Sequence, residues 1–308
     1  MEPDRTLLIL AMDHRESLQH DIYGIEGEPR ATDVERIAAG KKLVFDGLLH
    51  ALRHGIDPGI VGVLVDERYG AAVARRVRDA GLSLAMPVER SGQQTFVLEY
   101  GTPEQSTWLE HVRAFDPDQV KVLVRDNPDD PADSRLLQFE RLARVSAALD
   151  AEGRVLLVEL LVPATDRQLA DVGGDVLRYD TELRPDLTVR VVESMYAAGV
   201  EPQIWKIEGL ETRAAAEQIV AAAQAGGRSG VRCIVLGRDA PEDRLDHWLQ
   251  VAAPVPGFVG FAIGRSIWEA PLMEHEAGRL GADEAVRRIA KNYVHFANAF
   301  IAARSTTA

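Results

Sequence analysis

Lys206 stands in the apolar segment Ile204-Trp205-Lys206-Ile207-Glu208, and Lys121 in Val120-Lys121-Val122-Leu123-Val124. Between them in sequence, the segment Val155 to Leu161 carries Glu159 among leucines and valines. Ionisable residues in three successive apolar segments need a reason, because a charge in apolar surroundings is costly unless paired. If the segments are strands, side chains alternate between faces, so Ile204, Lys206 and Glu208 share one face and Trp205 and Ile207 the other. Neighbouring strands lie ~4.8 Å apart, which lets Glu159 sit between the two lysines when all three point inward at similar height. The rest of the chain sharpens the point. It has five lysines (41, 42, 121, 206 and 291) and thirty arginines. Where a plain cation suffices this sequence uses Arg, so each Lys raises the question of what Arg cannot do there.

One answer is imine chemistry. An amine that attacks a carbonyl must be neutral, and burial plus a second cation lowers a lysine's pKa towards neutrality. Arginine cannot take that role, because it does not deprotonate in proteins. Carbinolamine formation, dehydration and C–C cleavage each move a proton, and a carboxyl beside the amine can carry it. Lys206, Glu159 and Lys121 therefore suit an imine-forming lyase. The same three residues would also serve as a buried network that only holds a barrel together.

Further polar residues fall at the ends of apolar segments. The first such segment ends in Met12-Asp13-His14-Arg15, with Asp13 on the parity of Ile9 and Ala11. A carboxylate there can bind substrate hydroxyls, hold a lysine charged, or simply open a loop. The seventh segment runs into Gly237-Arg238 and the eighth into Gly264-Arg265-Ser266. In barrels the loops after strands 7 and 8 commonly hold phosphate on backbone N–H groups and a short helix N-terminus. Residues 265–269 are the expected helix, with Ser266 as its cap. Arg15, Arg68 and Arg125 also follow strand ends, as an arginine-rich chain produces by chance. Of the eight histidines only His14 falls at a strand end, whereas a catalytic zinc wants about three protein ligands. No metal and no cofactor are expected.

These residues must be held by a scaffold, and the hydrophobic pattern supplies one. Eight short runs are apolar at nearly every position, as parallel strands buried on both faces are. They are 7–12, 60–65, 82–87, 119–124, 155–161, 204–207, 232–236 and 258–263. Helical spacing fills the intervals at 34–54, 68–80, 103–115, 134–151, 187–198, 212–225 and 241–252, and again at 282–303. Thr102, Pro103 and Glu104 read as cap, first position and first-turn acid of the third helix. Gly81, Gly153, Gly199 and Gly226 fall where helices stop. Eight strand–helix repeats predict a closed α/β (β/α)8 TIM barrel, a single domain over residues 1–308. An open doubly wound sheet is the other arrangement with this order, but no GxGxxG follows the first strand. The loops 13–33 and 162–186 are long and lie on the face where barrel active sites form.

Composition sets outer limits. Of 308 residues 46% are hydrophobic and 27% charged, ordinary for a globular protein. No apolar run reaches the ~18 residues of a membrane span, and the opening residues read as no signal peptide. A net charge of −13 opposes binding to nucleic acid or anionic membrane. The single Cys233 reads as a buried thiol, consistent with a reducing cytoplasm.

The strand ends LILAMDHR, QVKVLV, LLVELLVP, IWKIEGLE, IVLGRDAP and GFAIGRSIWEAPL resemble the aldolase domain of the 2-deoxy-5-keto-gluconate 6-phosphate aldolase type in inositol catabolism. That group is similar to the class I tagatose-bisphosphate and sulfofructose-phosphate aldolases. The resemblance runs from the first strand to the last helix. It implies Lys206 as the Schiff-base lysine, Glu159 as acid/base, Lys121 as a second active-site lysine and Asp13 as a polar contact. It implies Gly264 and Arg265 as phosphate contacts; His14, Arg15, Gly237 and Arg238 are further substrate- or phosphate-binding candidates from their place at the strand ends. Two departures stand out. The tagatose-type enzymes have Gln after the first Asp where this chain has His14, and Gly237-Arg238 replaces their small-residue stretch. The expected function is cleavage of a phosphorylated keto sugar or keto sugar acid. The favoured case is 2-deoxy-5-keto-gluconate 6-phosphate, giving dihydroxyacetone phosphate and malonate semialdehyde. Tagatose bisphosphate, a sulfosugar phosphate or another keto sugar are alternative substrates, and a non-catalytic sugar-phosphate-binding barrel is the alternative class. The expected setting is a cytoplasmic homo-oligomer whose partner is a small phosphorylated sugar, with no nucleic acid and no membrane.

Overall fold

The computed structural model describes residues 5–305. Eight parallel strands close into a barrel in chain order: β1 (Leu7–Ala11), β2 (Val61–Leu64), β3 (Ser83–Pro87), β4 (Gln119–Arg125), β5 (Val155–Leu161), β6 (Ile204–Glu208), β7 (Arg232–Leu236) and β8 (Phe258–Ile263). Each agrees with the hydrophobic runs to within one residue at either end, because a strand covered on both faces has no polar position to blur its limits. The outer faces pack on a shell of helices: α1 (Ala31–Leu52), α2 (Glu67–Asp79), α3 (Thr107–Phe115), α4 (Ala132–Ala151), α5 (Asp166–Asp171), α6 (Val176–Arg178), α7 (Arg184–Ala197), α8 (Arg213–Gln224), α9 (Glu242–Ala252), α10 (Arg265–Glu276) and α11 (Ala282–Ser305). Among the described residues no helix is long and apolar enough to cross a membrane.

Inside the barrel a small apolar plug is built from Leu7, Ile9, Ala11, Leu64, Ala85, Leu157, Ile204, Ile234, Val259 and Ala262. Above this plug the inward positions turn polar. Register fixes their heights: Leu123 pairs with Glu159, Glu159 with Lys206, and Lys206 with Ile234. Lys121 lies level with Pro87 and Leu157, one inward position lower. The plug thus forms a dry floor, and the charged side chains rise from it towards the C-terminal mouth.

Several local expectations are corrected. The third helix begins at Thr107, not at Pro103. Thr102 and Gln105 close a turn instead, with the Gln105 side chain accepting from the Thr102 N–H at 3.1 Å. The helix after β8 runs to Glu276, well beyond residue 269, and Ser266 does not cap it. The Ser266 hydroxyl donates to the carbonyl of Ala240 at 3.2 Å, tying the loop after β7 to α10. Most of residues 162–186 is not open loop but α5, α6 and the π turn Tyr179–Leu183. Gly81, Gly153, Gly199 and Gly226 do have positive φ at helix ends, and Cys233 is buried, which pushes its thiol up to about 12.

Lys41 answers one of the lysine questions structurally. It is a buried residue of α1 whose ammonium donates to the carbonyls of Met12 (2.5 Å) and His14 (2.9 Å) and pairs with Asp66. Asp66 in turn caps α2 by accepting from the Tyr69 N–H at 2.8 Å. A compact three-donor cation suits this junction of β1, β2 and two helices better than a guanidinium fork. Lys41→Met should leave Asp66 buried and unpaired, costing roughly 3–5 kcal/mol. Equilibrium urea unfolding measures it; a loss under about 1 kcal/mol would show that the junction holds without the ammonium.

Candidate active site

A pocket of about 370 Å³ opens at the C-terminal mouth of the barrel, lined by Asp13, His14, Arg15, Lys121, Glu159, Lys206, Gly237, Arg238, Gly264 and Arg265, whereas Arg68 and Ser266 lie outside it. At its floor the carboxylate of Glu159 bridges the two lysines. One oxygen is 2.9 Å from the Lys206 ammonium and the other 2.9 Å from that of Lys121. The three side chains are almost completely buried.

The two lysines differ in what surrounds them. Lys121 touches three carboxylates, with Asp13 and Glu89 each at 2.8 Å in addition to Glu159. Among the described residues Lys206 has one carboxylate contact, the oxygen of Glu159. Burial works against the charge on Lys121, but Asp13, Glu159 and Glu89 outweigh it and hold its pKa above the ordinary lysine value. Lys121 is therefore a fixed ammonium. Burial likewise opposes ionisation of Asp13 and of Glu159, yet Lys121 and then Lys206 keep both below the usual carboxylate range. Glu89 goes the other way: burial raises its pKa in spite of Lys121 and Arg15.

Arg15 completes this layer. Its guanidinium donates to the Glu89 carbonyl at 2.8 Å and to its carboxylate at 3.2 Å. Asp13, Glu89 and Glu159 thus meet Arg15, Lys121 and Lys206, so buried charges of each sign are paired. His14 stands edge-on to Trp268, ring centroids 5.4 Å apart, and its Nδ1 finds no partner among the described residues. Burial, with help from Arg265, Lys206 and Lys41, pushes the imidazole down to about 4 despite Asp13. His14 is neutral at ordinary pH.

On the β7–β8 side the backbone packs closely against β1. Gly264 lies so close to β1 that a Cβ there would sit 2.6 Å from the Ala11 carbonyl oxygen and 2.9 Å from the His14 ring, so only glycine fits. It leads directly into α10, whose first residue Arg265 is 3.2 Å from Asp239. Arg238 and Asp239 both have positive φ. The Arg238 guanidinium is held by Asp180 at 2.8 Å and Glu208 at 3.1 Å. Asp180 is buried and also receives Arg184 (2.9 Å) and Arg244 (3.0 Å). This network anchors the π turn to the mouth of the barrel.

A family described as "Uncharacterized protein conserved in bacteria (DUF2090)" matches residues 2–304. The chain belongs to this family. No curated protein matches it. Among solved structures, this DUF2090 chain is similar to a protein of Corynebacterium glutamicum solved by structural genomics, with a TM-score of 0.58 and 16% identity over 96% of this chain and 86% of the other. It is also similar to an archaeal fructose 1,6-bisphosphate aldolase, with a TM-score of 0.55 and 16% identity over 96% of each chain. A fructose-bisphosphate aldolase from Slackia heliotrinireducens gives a TM-score of 0.52 and 13% identity over 93% of this chain and 86% of that one. At these identities the likeness is one of fold, the closed barrel described above.

In the DUF2090 chain, Glu89 on the pocket lining and Asp180, which holds Arg238, are among the acidic residues that escaped the sequence reading. Glu89 continues the inward parity of Ser83, Ala85 and Pro87 past the end of β3, so the two-residue period was a usable signal. Asp180 sits in the π turn between helices, where no period points inward. Among the described residues no group of His, Cys, Asp and Glu side chains is arranged to hold a metal ion.

Proposed function

We propose that this chain is a class I aldolase that forms an imine through Lys206 and cleaves a phosphorylated keto sugar or keto sugar acid. The observation that carries the reading is the unequal setting of the two buried lysines. Three carboxylates fix Lys121 as a cation, while Lys206 faces a single carboxylate oxygen that can take a proton from it. Two of the structurally similar proteins are named as fructose-bisphosphate aldolases, which agrees with this chemistry.

In the proposed reaction Lys206 gives one proton to Glu159, its nitrogen attacks the ketone carbon, and a second nitrogen proton moves to the new alkoxide to give the carbinolamine. Glu159 returns the first proton to the carbinolamine hydroxyl, which leaves as water, and the resulting iminium draws electrons from the C–C bond beyond its α-carbon. The hydroxyl on the departing carbon gives its proton to Glu159 as the aldehyde leaves. Protonation of the enamine carbon and hydrolysis of the imine restore Lys206. Lys121, as a fixed ammonium, and Asp13 orient the substrate oxygens, and neutral His14 offers a ring nitrogen for another. The favoured substrate is 2-deoxy-5-keto-gluconate 6-phosphate; other keto sugar phosphates, including tagatose bisphosphate and sulfosugar phosphates, are alternatives within the same chemistry. A panel of these compounds tests the reading, with release of dihydroxyacetone phosphate as the positive result. Binding of the panel without cleavage of any member would favour a non-catalytic sugar-phosphate barrel.

The phosphate next to the ketone is assigned to Gly264, Arg265 and the start of α10, where backbone N–H groups and a forked cation meet. Arg265→Ala should raise KM for a phosphorylated ketose by ten- to a hundredfold, the value of about 1.5–3 kcal/mol for a charge-assisted contact. A dephosphorylated analogue should lose far less. Equal losses for both compounds would make Arg265 a structural partner of Asp239.

A further inference from the structure

Five arginines line the pocket, and they are not equally committed. Arg15 is held by Glu89, Arg238 by Asp180 and Glu208, and Arg265 by Asp239. Arg125 and Arg90 have no carboxylate partner among the described residues. Arg125 gives one hydrogen bond, from Nη1 to the Gln93 carbonyl at 2.9 Å, which leaves most of its fork unspent. In a chain of net charge −13, two uncompensated guanidinium groups at the mouth of a pocket stand out.

Their place is informative. Arg125 shares the inward parity of Lys121 and Leu123, and its backbone lies one inward step above Leu123, which is level with Glu159 and Lys206. That step is about 7 Å along the strand. Arg90 follows β3 at the neighbouring position of the rim. The uncompensated charge is therefore on the β3–β4 side, across the mouth from Gly264 and Arg265, with the two lysines and Glu159 in between. The exposed Glu16 lies near the same rim, beside Gly92, so the site is a local balance rather than a uniformly positive wall.

We infer that Arg125, assisted by Arg90, binds a second anionic group at the far end of the substrate. The pocket then selects keto sugars that are anionic at both ends: a phosphate beside the ketone on the β8 side, and a terminal phosphate or carboxylate on the β4 side. This rests on the reading that the ketone carbon is delivered to Lys206, which sets the direction in which the sugar lies.

Calorimetric binding in a Lys206→Met chain, which cannot form an imine, separates this inference from that reading. Three probes share a phosphate next to a ketone: fructose 1-phosphate with a neutral far end, fructose 1,6-bisphosphate with a far phosphate, and 5-keto-gluconate 6-phosphate with a far carboxylate. At least one doubly anionic probe should bind ten- to a hundredfold more tightly than fructose 1-phosphate, the usual value of a charge-assisted contact. The one preferred identifies the terminal group. Adding Arg125→Met should bring that ratio to about one and leave fructose 1-phosphate affinity nearly unchanged. Arg90→Met, at the more exposed position, should lower the same ratio by a smaller factor and reads the rim if the Arg125 variant does not fold. A ratio near one before either arginine is replaced, a ratio that survives both replacements, or equal weakening of all three probes would overturn the inference. Failure of the imine reading alone would appear as absent lysine labelling with the preference for two anions intact.

Discussion

Lys206→Arg should keep the charge and the barrel yet reduce cleavage by roughly 10⁴–10⁶-fold, the scale on which removal of a covalent nucleophile is felt. The geometry explains why the nearest cationic replacement fails. Arginine can still meet the Glu159 oxygen that Lys206 meets at 2.9 Å, so the pairing of charge at the pocket floor survives. What it cannot do is lose its proton and attack a carbonyl. A structural role for Lys206 predicts the reverse order, with stability lowered and any activity only modestly changed. Thermal unfolding and turnover measured on the same preparation separate the two. Lys121→Arg is the matching control. Its site demands a fixed cation among three carboxylates, so it should retain far more activity than Lys206→Arg, whatever it loses to imperfect packing.

Replacing Glu159 by glutamine should lower turnover by about 10²–10⁴-fold, the usual size of a general acid–base contribution. Glutamine preserves the shape of the bridge between Lys121 and Lys206 but removes its negative charge and its capacity to carry a proton. Substrate affinity should change far less than turnover, because the groups assigned to phosphate lie elsewhere on the rim. An unchanged rate would move proton transfer to another carboxyl. Glu89 is then the first to examine, because burial raises its pKa and it already touches Lys121.

The scaffold was legible in the sequence because buried parallel strands advertise themselves as unbroken apolar runs, and the polar intruders Lys121, Glu159 and Lys206 line the pocket at the barrel mouth. Lys121, Glu159 and Lys206 could be assigned to one face by the two-residue period alone. Their inequality could not. Which lysine gathers three carboxylates depends on the inter-strand register and on how far the Lys121 chain climbs towards Asp13 and Glu89. Glu89 was hidden just past the end of its strand, where the period had been broken off at Pro87. Thr102-Pro103-Glu104 has the chemistry of a helix start, but Gln105 satisfies the Thr102 N–H in a turn, and the helix waits until Thr107. Asp180 and the positive-φ pair Arg238-Asp239 belong to connections whose shape is set by tertiary contacts. Arg125 was visible as one of several arginines at strand ends; only the distribution of carboxylates shows that its charge is left uncompensated.

The measurement that bears most directly on the central claim is reductive trapping. The intact chain is incubated with each phosphorylated ketose of the panel, treated with borohydride, digested, and its peptides are weighed. The account predicts a mass increase of one reduced ligand on the peptide carrying Lys206, its loss in Lys206→Arg, and its persistence in Glu159→Gln at a slower rate of formation. Labelling of Lys121 in place of Lys206, or release of dihydroxyacetone phosphate from a Lys206→Arg enzyme, would contradict it.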